Sequence, residues 1–158
     1  MRIGALWHLL GLLLASTAGV AAAQPSAPSE PVTGQVLIVL ASQVAGLIDP
    51  RLADVPALRR PPFDSYRSMA LLESPRIELR VNQPLEVPLP NGRRMRLVLQ
   101  GTTPDGRYRV RVSINRPDQQ DYLPEMQVVA APGDPFFVAG QSFQSGTLVI
   151  GIRLGRRG

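Results

Sequence analysis

Residues 94–114 read RMRLVLQGTTPDGRYRVRVSI, and this stretch decides the fold class. Met95, Leu97 and Leu99 alternate with Arg94, Arg96 and Gln100. Tyr108, Val110, Val112 and Ile114 alternate with Arg107, Arg109, Arg111 and Ser113. A period of two is the mark of a half-buried strand, because successive side chains leave opposite faces of the pleat. Thr103-Pro104-Asp105-Gly106 between the two runs reads as a type I turn closed by glycine. Pairing 102 with 107 sets 99 opposite 110, 97 opposite 112 and 95 opposite 114. All six are apolar. The same register places Arg96 opposite Ser113 and Val98 opposite Arg111. A slip of one residue would send every apolar side chain to the solvent face, so the coincidence of both apolar sets predicts a hairpin.

The period of two extends in both directions. Ile77, Leu79 and Val81 alternate with Arg76, Glu78 and Arg80, and Leu85, Val87 and Leu89 alternate with Glu86 and Pro88. Pro90-Asn91-Gly92 supplies residues that tolerate positive φ and marks a turn. Downstream, Met126 and Val128 start a strand, Pro132-Gly133-Asp134-Pro135 turns into Phe136-Phe137-Val138, and Gln144-Ser145-Gly146 turns into a last strand over residues 147–154. Upstream, residues 35–42 (QVLIVLAS) form a short apolar run rich in β-branched residues, which favours a buried strand over a helix. Asp49-Pro50 looks like a helix start, with Asp as N-cap and Pro at the first position. Pro56 confines that helix to one or two turns. Residues 65–74 fit helix or strand, and the run of strands after them favours strand. Six to eight short strands with one short helix predict a single all-β domain, an antiparallel β-sandwich or partly open barrel, over residues 35–155.

The ends of the chain read differently. Arg2 precedes an apolar stretch centred on Leu9 to Leu14, and Ala21-Ala22-Ala23 is a small-residue cleavage signal. Residues 1–23 are therefore expected to be a signal peptide, cut after Ala23 for export to the periplasm or beyond. Residues 24–34 (QPSAPSEPVTG) hold three prolines and little apolar surface, and are expected to be a linker. Residues 156–158 form a basic tail.

Composition narrows the chemistry. All 17 basic residues are Arg, the only His and Trp are His8 and Trp7, and Cys is absent. After residue 23 the ionisable side chains are Arg, Asp, Glu and Tyr, with 16 Arg against 12 carboxylates. Serine or cysteine nucleophiles paired with imidazole, and Schiff-base lysines, are thereby ruled out of the exported part. A small carboxylate-dependent hydrolase survives only as a weak reading, since no two acidic residues stand in a motif. Neither cofactor nor metal is expected. Asp118 and Asp121 in DQQDY lack the carboxylate density and fixed glycine of a calcium loop.

Two binding candidates remain. Arg76, Arg80, Arg94, Arg96, Arg109 and Arg111 occupy outward positions of successive strands, and neighbouring strands would align them into a stripe for an anionic envelope polymer, lipopolysaccharide or lipid. The plainer expectation is that Glu78, Glu86 and Glu125 pair with them. Phe136, Phe137 and Phe143 lie in a Gly-rich hairpin that would either anchor a partner or fill one end of the core. Nucleic acid is not expected, because aromatics make up 5% of the chain and stacking platforms are scarce.

The segments IDPRL (48–52), PPF followed by Tyr66, LPNGR (89–93), DGRYRV (105–110), SINRP (113–117), DYLP (121–124) and FFVAGQS with GTLVIGI (136–152) resemble a group of small exported bacterial proteins of no assigned function. The resemblance implies a secreted single domain and carries no site residues with it. The expected role is a non-enzymatic interaction or envelope assembly module, binding an envelope protein through a sheet edge, the Phe/Gly hairpin or the Arg face.

Overall fold

A computed structural model describes residues 30–116 and 124–156. Residues 1–23, most of the linker and the DQQDY segment with Asp118 and Asp121 lie outside the described residues. The described chain is all-β. Its strands are β1 (Val32–Ser42), β2 (Ser68–Glu73), β3 (Arg76–Leu79), β4 (Pro84–Pro88), β5 (Arg94–Thr102), β6 (Tyr108–Ile114), β7 (Met126–Ala130), β8 (Phe136–Phe143) and β9 (Gly146–Leu154). One antiparallel sheet has the order β2-β1-β9-β8, with β3 also paired to β1. The other has the order β4-β5-β6-β7. Their inner faces share one core, to which Val36, Ile38, Leu97, Leu99, Val110, Val112, Ile150 and Ile152 contribute. This is a β-sandwich-like arrangement rather than a closed barrel.

The β5–β6 ladder has the expected register from 95↔114 through 99↔110. Beyond it the pairing differs: Gly101 pairs with Arg109 and Thr102 with Tyr108. Gln100 is the extra residue of a bulge, and Gly101 takes φ 142°, a conformation that a side chain would oppose. The turn is therefore one residue longer than 102↔107 pairing implies. Tyr108 still reaches the core side through this shift.

β1 begins at Val32, three residues inside the expected linker, because residues 32–35 pair with β3. Its central residues are buried on both faces. Val36 and Ile38 face the inter-sheet core, while Leu37, Val39 and Ala41 face a second core on the outer side. That second core is closed by residues 50–65. The expected single short helix is instead three 3₁₀ turns, Pro50–Leu52, Pro56–Arg59 and Phe63–Ser65. Pro56 stands at the start of the second, which explains the break. The turns deliver Leu52, Val55, Leu58 and Phe63 onto the sheet. Burying side chains of this size contributes about 1.5–3 kcal/mol each, which fixes the strap to its sheet. Residues 68–73 are strand, as the pattern favoured.

Candidate interface at the sheet edges

The six arginines do not form one stripe. Because β3 pairs with β1 and not with β4, Arg76 and Arg80 belong to the five-stranded sheet. Arg94, Arg96, Arg109 and Arg111 lie together on the outer face of the other sheet. Carboxylates interleave with them: Glu86 bonds Arg96 at 3.0 Å and lies 3.7 Å from Arg94, and Glu125 bonds Arg111 at 2.9 Å. Glu78 bonds Arg80 at 2.7 Å along the same strand. These pairs are well exposed, so each adds little to stability. On the four-stranded sheet they offset two of the four guanidinium charges and so halve the field that a polyanion would feel.

The phenylalanines are occupied by packing. Phe136 and Phe143 lie against the inter-sheet core, and Phe137 lies against the outer core with its ring 5.0 Å from that of Phe63. Positions 136 and 143 are an odd number of residues apart, so regular alternation would put Phe136 and Phe143 on opposite faces, and both reach the same core only if the alternation is broken between them. A bulge between Ala139 and Gln141 does this, with Gly140 at φ 104°. The bulge restores Phe143 to the core side occupied by Phe136.

The strand edges remain, and they differ from one another. An open edge exposes a row of unpaired N–H and C=O groups, and proteins block such rows with prolines, charges, bulges or covering chain. β2 is covered. Met69 N–H donates to the Leu47 carbonyl (3.2 Å), and Asp49 N–H donates to the Met69 carbonyl (2.8 Å). One step along, Leu71 N–H donates to Asp49 Oδ2 (3.3 Å), and Arg51 Nη2 donates to the Leu71 carbonyl (2.9 Å). The Asp49–Arg51 pair thus continues the ladder that the backbone of residues 47–49 begins. Asp49 also accepts from Arg51 Nε and Nη2 and from the Arg51 amide, the N-cap bond expected from the sequence. The guanidinium of Arg51 first, then these amides, hold the Asp49 carboxyl well below its ordinary value.

β3 is four residues long and carries Arg76 and Glu78, with Arg80 just beyond. β4 carries Pro84 and Pro88, which have no N–H, and Glu86 between them. β8 is bulged, and at its bulge Gln141 accepts a hydrogen bond from Arg93. Arg93 also donates to the Asn115 carbonyl (2.9 Å), and buried Asn115 accepts from the Arg94 amide (2.6 Å). This network ties the two sheets together at one end, and the alternation pattern gave no sign of it.

β7 has none of these devices. Its residues are Met126, Gln127, Val128, Val129 and Ala130, with no charge, proline, glycine or bulge, and among the described residues it pairs only with β6. Met126 and Val128 lie on the inward-facing side, opposite Val112 and Val110, yet Met126 is 48% exposed. Val129, opposite Arg109 on the outer face, is also 48% exposed. Among the described residues, no group of His, Cys, Asp and Glu is placed to hold a metal ion. Comparison of the chain with protein-family profiles, with curated proteins and with solved structures finds no match.

Proposed function

We propose that the chain is an exported protein-interaction module that takes an extended segment of an envelope partner as an added strand on β7. The observation that supports this reading is the contrast between β7 and the other edges, each of which is blocked by a different device. Strand addition draws affinity from main-chain hydrogen bonds and selectivity from alternate side chains. The added segment would place an apolar side chain beside Met126 on the inner side. Its outer side would lie next to Val129, where polar or acidic residues suit the neighbouring Arg109. The Arg face is a weaker docking surface because Glu86 and Glu125 offset half of its four charges, and the three Phe are spent on packing.

The test is a photo-cross-linking side chain at position 127 in cells producing the full chain, compared with the same group at position 70, between the covered residues Met69 and Leu71 of β2. Position 127 should give adducts with one envelope protein, and Val129→Lys should abolish them. The mature chain should begin at Gln24. Identical adducts from both positions, or adducts only between copies of the chain, would contradict the reading.

A further inference from the structure

A second feature lies on the other sheet and owes nothing to β7. In the outer face of the five-stranded sheet, Gln35 pairs with Arg76 of β3 on one side and with Arg153 of β9 on the other. Neighbouring strands are roughly 4.8 Å apart, so the two arginines flank Gln35 in one row, with about 10 Å between their Cα atoms. The strap that covers the rest of this face stops short of the row. What remains open is a trough of about 620 Å³, floored by Thr33, Gln35 and Gly155 and walled by Arg76, Arg153 and Arg156. Two adjoining hollows also open onto Arg153, and both reach Asp54 on the strap.

Arg153 sits where all three meet. Its Nε is buried and has no hydrogen-bond partner among the described residues. The Nε atoms of Arg96 and Arg111 are in the same state, and because the atom is closed to solvent a ligand in the trough would meet Arg153 through its terminal guanidinium nitrogens. Acceptors stand near the guanidinium groups. Glu78 lines the trough and gives one oxygen to Arg80, which leaves the other. Gln35 commits its amide nitrogen to Ser74 Oγ (2.7 Å), so it offers a ligand its carbonyl oxygen. A ligand suited to both sets must carry a negative charge and also donate hydroxyl hydrogens.

We infer that this trough binds an acidic sugar unit, with its carboxylate on Arg153 and Arg76 and its hydroxyls on Gln35 and Glu78. Charge-assisted bonds of this kind are worth about 1.5–3 kcal/mol, equivalent to roughly ten-fold or more in affinity.

The probe is trigalacturonate titrated into the ¹⁵N-labelled mature chain, following the arginine Nε–H signals. The Arg153 signal should shift with saturation, and the affinity should fall as salt rises. Arg153→Ala and, independently, Arg76→Ala should each weaken binding at least about ten-fold. Glu78→Gln should weaken trigalacturonate relative to sulfate, which is fully deprotonated and has no hydrogen to give the acceptor. Arg94→Ala on the opposite sheet should change nothing. Binding that survives Arg153→Ala and Arg76→Ala, or that is lost with Arg94→Ala, would overturn the site. Sulfate binding as tightly as the sugar would overturn the assignment to a saccharide.

Discussion

β2 and β7 are both terminal strands of short, apolar sequence, and they end in opposite states. Beyond β2, the chain supplies Leu47, Asp49 and Arg51, which together satisfy the outward N–H and C=O groups of Met69 and Leu71. Beyond β7, the described residues supply nothing. The difference shows that an edge can be sealed in part by backbone, at Leu47 and Asp49, and in part by side chains, those of Asp49 and Arg51. Leu47 is 89% exposed, and its contribution is its carbonyl oxygen. Met69 and Leu71 are also held from the face by the outer core, whereas Met126 is half exposed. Among the described residues this edge is bare on a domain that elsewhere uses prolines, charge, a bulge and a strap, and that contrast is what supports the proposed partner strand.

The comparison breaks most severely if the strap is released. Phe63→Ala removes the ring that packs on Phe137 and the outer core, and should cost about 3 kcal/mol of unfolding free energy in urea denaturation. It should also unseal β2, so that cross-linkers at position 70 begin to capture extended segments. A smaller loss is expected from Asp49→Asn, which keeps a cap acceptor and removes the charge. Because the folded carboxyl is held below its ordinary 3.8, it contributes stability that is fully present above that pH. That contribution is lost as the pH falls through the depressed folded value. The variant's thermal midpoint should therefore lie below the wild type's at pH 7, and the gap should narrow as pH drops below 3.8. Smaller again is Val129→Lys at the open edge, which should shift stability by no more than about 0.5 kcal/mol while abolishing partner adducts. Leu47→Ser should be the most nearly neutral, within about 0.5 kcal/mol and with β2 still sealed, since the carbonyl remains.

Much of this was legible in the residues. Alternation placed the β5–β6 pairs from 95↔114 to 99↔110, and the unbroken apolar run of residues 35–42 marked a buried strand, though not that two separate cores would cover its faces. Asp49 declared itself as a cap. The misses share a cause: each depends on which strands become neighbours. Arg76 and Arg80 joined β1 rather than β4, so a stripe that looked continuous in sequence is divided between two sheets. The bulges at Gln100 and Gly140 shift alternation by one residue, and glycines at those points are indistinguishable in sequence from glycines in turns. The bond from Arg93 to Gln141 and the row Arg153–Gln35–Arg76 cross between distant segments, and no local period records them. Edge status is non-local for the same reason: MQVVA is an ordinary strand until its missing neighbour is known.

Hydrogen exchange on the free mature chain tests the contrast most directly. The amides of Met69 and Leu71, bonded to Leu47 and Asp49, should exchange slowly, while every second amide of β7 should exchange at close to the rate of an unprotected chain. Uniform protection along β7, matching that of Leu71, would contradict the account, because an edge already covered has no place for a partner strand.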